Sequence, residues 1–401
     1  MLEEQQGETT VARIKDPTRD RYHALALSSV WELEKIRNAQ ALVIGAGALG
    51  NEVSKNLVML GVRRIIILDR DTVEVANLSR SIFFRESDHG RPKSEILKER
   101  LREFNPDVDV IAVNGDLNEA LGIGLVRRMD MIFSCLDNRL ARRTINRMCQ
   151  KVSKPWVDGS MENLLGDVTV YLPNEGPCYE CGLTLADKEV IAKAVSCRGI
   201  ALQNLSLGKV PTVSTMGSII AALQVQEAIK LLHDAPSGSL GGKRLVVNCE
   251  INDFYRTVGD RKDDCPGHFR YGDITEVAEW QSDTVSPQEI LGRFEVDSGN
   301  TGHIRLGREI VIALYCAVCN TEEALGEPLN VLKMERTLCP TCGEMREVKT
   351  TNVVRGTEPY ANKPLAQLGL PLLDIIEVRG RSGSAWYEIT GDTEAFPSGL
   401  H

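Results

Sequence analysis

Residues 39–93 read AQALVIGAGALGNEVSKNLVMLGVRRIIILDRDTVEVANLSRSIFFRESDHGRPK, and this stretch decides the fold. The apolar run Ala41 to Ile44 stops at Gly45, and Gly47 and Gly50 follow at the spacing that turns a strand tightly into a helix, with room for phosphate. The helix places Val53, Leu57 and Leu60 on one face, so a second apolar run, Ile65 to Leu68, returns parallel to the first. That run ends in Asp69, nineteen residues beyond Gly50, close to the offset at which a carboxylate accepts hydrogen bonds from ribose hydroxyls. Three glycines alone are weak evidence. Strand, glycines, helix, strand and acid in this order point to a nucleotide site.

Beyond Asp69 come Asp71, Asn77, Arg80, Arg91 and Lys93, a density of cations and amides that a nicotinamide site does not need. Arginine offers a planar fork to phosphate oxygens and lysine a compact charge. Together they suit a triphosphate whose departing pyrophosphate gains charge in the transition state. The alternative is a solvated basic loop.

In these residues the chain resembles the ThiF/MoeB and ubiquitin-activating-enzyme superfamily, which adenylates the C-terminal glycine of ubiquitin-like proteins. The resemblance covers roughly residues 20 to 268. It rests on the loop Gly45-Ala-Gly-Ala-Leu-Gly50, Asp69-Arg-Asp71, Asn77-Leu-Ser-Arg80, Gly90-Arg-Pro-Lys93 and Cys135-Leu-Asp137-Asn138, in the family's order. It implies ATP as substrate, Asp69 on the ribose, Asn77, Arg80 and Lys93 on the phosphates, and Asp137, beside Asn138, on a magnesium ion. The implied fold is α/β, a Rossmann-like doubly wound, mostly parallel sheet with a zinc knuckle. The family also implies a homodimer. Its members commonly read RYxRQ near the start, the second arginine reaching the neighbouring subunit's phosphates. Here Arg21 and Tyr22 match, but Ala24 holds that arginine's place, so either Arg19 or Arg21 substitutes or the contact is missing.

The 401 residues, 42% hydrophobic and 26% charged, suffice for a full core and two domains. We expect a loose N-terminus over 1–18, an adenylation domain over 19–270 with a crossover loop at about 183–213, and a C-terminal domain over 271–401. No apolar stretch approaches the roughly 18 residues of a membrane span, and MLEEQQGETT lacks the features of a signal peptide. A cytoplasmic protein without a membrane partner is therefore expected. The net charge of −9 argues against nucleic acid as the main partner.

Along the chain, apolar spacing from Asp20 onward predicts one helix before the first strand, through Leu25, Leu27, Trp31, Leu33 and Ile36. Ser94 to Phe104 reads as an amphipathic helix and Met131 to Cys135 as a buried strand delivering Asp137 and Asn138. Such strand ends are where ligands gather, and magnesium takes one or two carboxylates beside phosphates and water. Capping the helix that starts near Arg139 is the other possible job for Asp137. Residues 271–300 read as a linker or domain start with a short helix at 286–291, and two strand-like runs, Ile375 to Val378 and Ala385 to Ile389, follow.

Eleven cysteines in a cytosolic chain point to metal or thiol chemistry rather than disulfides. Cys316-Ala-Val-Cys319 and Cys339-Pro-Thr-Cys342, nineteen residues apart, match a zinc ribbon, a closed structural site. Cys178-Tyr-Glu-Cys181 supplies half of another site. The resemblance places the other half at Cys265-Pro-Gly-His268, giving a second structural zinc with three thiolates and one imidazole. A redox pair at 178 and 181 is the alternative.

Cys135, Cys149 and Cys249, the last read as lying inside a strand, look structural. Cys197, in AVSCRGIALQNLSLGKVP, differs. The resemblance makes this the crossover loop carrying the thiol that receives the activated protein, and the adjacent Arg198 favours thiolate. A plain connector is the alternative. We therefore expect adenylation followed by a thioester on Cys197 and transfer to a conjugating enzyme. The rivals are a sulfur-carrier adenylyltransferase of the thiamine or molybdopterin type and a non-catalytic scaffold. The tail holds no cysteine beyond Cys342, which argues against a built-in sulfurtransferase.

Overall fold

A computed structural model describes residues 20–196, 211–234, 238–381 and 383–396. Two short helices, α1 (His23–Ala26) and α2 (Leu33–Asn38), stand where apolar spacing predicts one. The serines between them break it. Ser28 Oγ accepts the Val30 N–H at 3.2 Å, a local bond that competes with the helical ladder, and Leu27 and Val30 stay exposed.

The first sheet contains β1 (Gln40–Ile44), β2 (Arg64–Asp69), β3 (Asp109–Asn114), β4 (Met131–Ser134), β5 (Trp156–Glu162), β6 (Leu165–Tyr171), β7 (Lys243–Asn248) and β8 (Asp253–Val258). Its order is β3-β2-β1-β4-β5-β6-β7-β8. Strands β1 to β5 pair in parallel, and β6, β7 and β8 return antiparallel. The expected α/β, Rossmann-like architecture with a parallel-rich sheet is present.

Helices α3 (Ala48–Leu60), α4 (Lys93–Phe104), α5 (Leu117–Ala120), α6 (Ile123–Arg128), α7 (Arg139–Lys151), α8 (Leu185–Ser196) and α9 (Ser214–Leu232) accompany these strands. Alternation along β1 shows why both faces need covering. Ala41 and Val43 join Val53, Leu57, Ile96 and Ile220 in one core, while Leu42 and Ile44 join Leu125, Val126 and Ile145 in another. A strand buried on both sides reads as an unbroken apolar run, as this one does.

A second sheet follows, built from β9 (Ile274–Val277), β10 (Gly302–Cys316), β11 (Thr321–Pro328), β12 (Glu347–Val354), β13 (Ile375–Gly380) and β14 (Ser384–Ile389). Its order is β11-β10-β13-β14-β9, with β12 also paired to β10. Helix α10 (Pro287–Ser298) packs on it, and α11 (Met334–Thr337) precedes the last cysteine pair. Of the two readings of residues 271–300, linker or domain start, the linker falls away, because Val277, Ile290 and Phe294 enter the core of this sheet. The helix expected at 286–291 runs twelve residues, started by a Ser286/Glu289 capping box and stopped by left-handed Gly299 at φ 68°. Likewise Cys249 sits just past the end of β7, in a turn, with its N–H donated to Leu164 O at 2.9 Å.

Candidate functional site

The strand order reverses at β1, whose parallel neighbours are β2 on one side and β4 on the other. The crevice of such a sheet opens at the carboxyl ends of those central strands. Both Gly45 and Cys135 are pinned there, the Gly45 N–H to Leu68 O and the Cys135 N–H to Ile44 O, each at 2.8 Å. The three loop glycines have different reasons to be glycine. Gly45 holds φ +99°, and a Cβ there would lie 2.5 Å from Cys135 O. At Gly50 a Cβ would stand 1.8 Å from Gly45 O, so the helix packs on its own loop. At Gly47 a Cβ meets nothing within 4 Å. That open space adjoins the first turn of α3, which has no side-chain cap, and uncapped N–H groups at a helix start suit an anion.

Asn51, which sequence reading passed over, holds this loop in shape. Its buried Nδ2 donates to Ala46 O at 2.9 Å and Gly47 O at 3.0 Å, and its Oδ1 accepts the Phe83 N–H at 3.2 Å. An amide placed directly after Gly50, at the fourth residue of α3, was the available signal.

Asp69 accepts the Ala46 N–H at 2.6 Å and the Asp71 N–H at 2.7 Å. Burial pushes its carboxyl up from the ordinary range, against the pull of the Lys93 charge. Lys93 Nζ lies 2.9 Å from Asp71 Oδ2, so Asp69, Asp71 and Lys93 form one connected set. Asn77 is buried in a 3-10 turn, where its Oδ1 accepts the Glu74 N–H at 2.9 Å. Arg80 donates to Ala76 O at 2.9 Å, and among the described residues no carboxylate pairs with it. Arg91 is spent elsewhere, on Glu99 at 2.6 Å.

The capping alternative for Asp137 falls away, since Asn138 caps α7 by accepting the Ala141 N–H at 2.8 Å. Asp137 is left exposed at the crevice, touched by Asn138 Nδ2 at 3.4 Å. A spare hard oxygen donor just past the end of β4 is a group that could hold magnesium. Behind it lie two further residues that sequence reading missed. Arg142 Nε donates to Asp158 Oδ1 at 3.0 Å, and both side chains are largely buried. Burial pushes the Asp158 carboxyl up, and the Arg142 charge pulls it down.

Among the other expected groups, Arg21 donates to Phe104 O at 3.5 Å, at the opposite end of α4 from Lys93. Within its own chain it does not reach the cradle. Cys135 follows β4 rather than lying in it, and burial pushes its thiol and that of Cys149 far up, which disfavours the thiolate at both. Cys197 and Arg19 lie outside the described residues.

The structure brings together both expected ligand quartets. Cys178, Cys181, Cys265 and His268 have their donor atoms within 4.8 Å of one another, as do Cys316, Cys319, Cys339 and Cys342. In the first, Cys178 Sγ stands 3.8 Å from both Cys181 Sγ and Cys265 Sγ, and Cys181 Sγ 3.3 Å from His268 Nε2. In the second, Cys316 and Cys342 are 3.6 Å apart and Cys319 and Cys339 3.9 Å. Tetrahedral zinc with sulfur at about 2.3 Å requires sulfur pairs about 3.8 Å apart, so both donor sets fit a metal of this kind.

A glycine loop at the switch point of a parallel-rich sheet, with a spare acid across the crevice, defines a nucleotide-binding α/β protein. The chain belongs to the ThiF family, whose model matches residues 20–267. It is 32% identical over 210 residues to the sulfur carrier protein ThiS adenylyltransferase of Escherichia coli (strain K12), covering 52% of this chain and 78% of that protein. It is 36% identical over 149 residues to SUMO-activating enzyme subunit 2 of Dictyostelium discoideum, covering 37% of this chain and 22% of that one. Four such eukaryotic relatives are matched over only 22% to 54% of their length. Among solved structures, Escherichia coli MccB with succinimide superposes at TM-score 0.49 with 24% identity, over 59% of this chain and 67% of that one. Among the described residues no helix is long and apolar enough to cross a membrane.

Proposed function

We propose that this chain adenylates the C-terminal glycine of a ubiquitin-like protein with ATP and then takes the acyl group onto Cys197. The carrying observation is the pairing of an open cradle at Gly47 with an acid, Asp137, relieved of capping duty by Asn138. In this reading the first-turn N–H groups of α3 meet phosphate oxygens, Asp69 orients the ribose, and Lys93, Arg80 and Asn77 hold the outer phosphates. A substrate carboxylate attacks the α-phosphorus and pyrophosphate departs. Asp137 would hold a magnesium ion, which would supply charge neutralisation for that departure. Arg80, which has no carboxylate partner among the described residues, has its charge available for the same purpose. The Cys197 thiolate then attacks the acyl carbon, the bond to AMP breaks, and a thioester remains, from which a conjugating enzyme takes the acyl group.

The two quartets in this reading hold structural zinc, and the expected homodimer belongs to the same proposal. A second reading, a sulfur-carrier adenylyltransferase, has support of its own, since the ThiS adenylyltransferase is matched over 78% of its length.

The test is ATP–pyrophosphate exchange by the purified chain with its co-purified small protein. Exchange dependent on that protein is expected, and Asp137→Ala should lower it about 100-fold or more. Exchange indifferent to Asp137→Ala would remove the metal assignment. A thiol-sensitive adduct that persists on a non-reducing gel and is absent in Cys197→Ala favours conjugation. A thiocarboxylate on the small protein by mass spectrometry favours the second reading.

A further inference from the structure

Strand β4 stops pairing with β5 at Ser134 opposite Asp158, so no ladder holds residues 135–138, the segment that presents Asp137. Its near end is fixed by the Cys135 N–H on Ile44 O, and its far end by the Asn138 cap. Between these pins the Leu136 carbonyl accepts Arg142 Nη2 at 2.6 Å. The same nitrogen donates to Gly159 O at 3.1 Å, on β5, while Nε holds Asp158. One guanidinium thus bridges the carbonyl before Asp137 to the strand beside it, where the sheet's own rungs have ended.

A rigid planar fork fixes the directions of these bonds to two carbonyls and a carboxylate at once, whereas an ammonium on a flexible stem offers donors without fixing their directions. Burying an ion pair is an unfavourable way merely to fill space, since apolar residues of similar volume do as well or better. The arrangement therefore has a geometric purpose. We propose that Arg142 is a positioning residue for Asp137, setting through the Leu136 carbonyl the place from which that carboxylate meets the metal-bound nucleotide. This rests on the reading of Asp137 given above. Asp158 in turn keeps the fork oriented and compensates its charge.

The test compares wild type with Arg142→Lys, which keeps the charge and loses the fork. Far-UV circular dichroism and zinc content should be unchanged, while the magnesium concentration for half-maximal exchange rises about 10- to 100-fold, as for residues behind a metal ligand. Manganese binding in the presence of a non-hydrolysable ATP analogue, read by electron paramagnetic resonance, should weaken by the same factor. Combining Arg142→Lys with Asp137→Ala should add nothing to Asp137→Ala alone, because the two act as one unit. A folded Arg142→Lys protein with wild-type metal dependence, or additive losses in the double variant, would overturn the proposal. If Arg142→Lys does not fold, the uncharged pair Arg142→Gln with Asp158→Asn is judged by the same readouts. Wild type that neither exchanges pyrophosphate nor binds manganese sinks the underlying reading instead. In that case faster amide exchange at 135–138 in Arg142→Lys still decides whether the clamp exists.

Discussion

Glycine at 45, 47 and 50 is one motif in sequence and three different constraints in space. Gly50 is a packing residue, because its Cβ would overlap the Gly45 carbonyl at 1.8 Å and neither backbone can yield. Gly50→Ala should therefore destabilise the fold by about 3 kcal/mol, seen as a lowered denaturation midpoint with or without nucleotide. Gly47 sits at φ −76° with empty space beyond it, so Gly47→Ala should leave that midpoint within about 1 kcal/mol of wild type. Its added methyl would stand in the open space that the proposed function gives to phosphate. ATP affinity by calorimetry should fall about tenfold, a loss of about 1.4 kcal/mol. Equal ATP affinity in the two proteins would mean that the cradle holds no phosphate. At this scale the sequence was informative wherever a residue's reason is local, as for the glycines and Asp69. It was silent on Asn51, Arg142 and Asp158, whose reasons lie in carbonyls and side chains supplied by other elements. Asn77 shows the converse. Its amide oxygen serves its own 3-10 turn, a contact that a motif does not display.

Elements were legible to the extent that one periodicity ran unbroken. β1 and α3 satisfied it, and the segment from Asp20 did not, since its apolar spacing passes through Ser28 and Ser29, where a hydroxyl–backbone bond outcompetes helix. The cysteine sites divide in the same way. The ribbon's two pairs lie within one chain excursion, at the end of β10 and after α11, and their spacing alone announces them. The knuckle's halves meet only because β6 to β8 return antiparallel and bring residues 265–268 back against α7, where a Cβ on Gly267 would stand 3.0 Å from Cys178 Sγ and 3.1 Å from Asn146 Nδ2. No local rule contains that closure, and only the family resemblance supplied it. Both quartets should carry zinc, two ions per chain by elemental analysis. His268→Ala should remove one ion and leave the ribbon's, with a thermal midpoint several degrees lower, whereas His268→Cys should keep both, since three or four thiolates serve equally. Loss of both ions in His268→Ala would mean that the two sites are not independent.

Across the whole molecule, the second sheet is joined to the first through α6 by contacts that leave no slack. A Cβ on Gly122 would lie 2.1 Å from Leu372 O, and one on Gly124 2.5 Å from Leu373 O. Leu373 holds φ 55°, strained for a leucine, and its N–H is clasped by Asp392 Oδ2 at 2.9 Å while its side chain enters the core beneath β1. Beside this junction Glu388, wholly buried on β14, is paired with both Arg127 and Arg128 at the end of α6, and Arg127 also meets Glu276 at 2.8 Å. Glu388→Gln keeps the shape and removes the charge. Arg127 retains Glu276, but Arg128, the more buried of the two, loses its carboxylate. Breaking a buried pair from one side costs about 3–5 kcal/mol, most of it the isolated charge left behind. The loss falls on the contact between the sheets rather than on either core, so the sheets should cease to unfold together. Tryptophans report each separately, Trp31 and Trp156 with the first sheet and Trp280 and Trp386 with the second. With one pair replaced by phenylalanine at a time, wild type should give coincident urea transitions. In Glu388→Gln the Trp280 and Trp386 signal should depart at lower urea, and the two transitions should separate. Coincident and unmoved transitions would show that the charged cluster contributes nothing to the junction between the sheets.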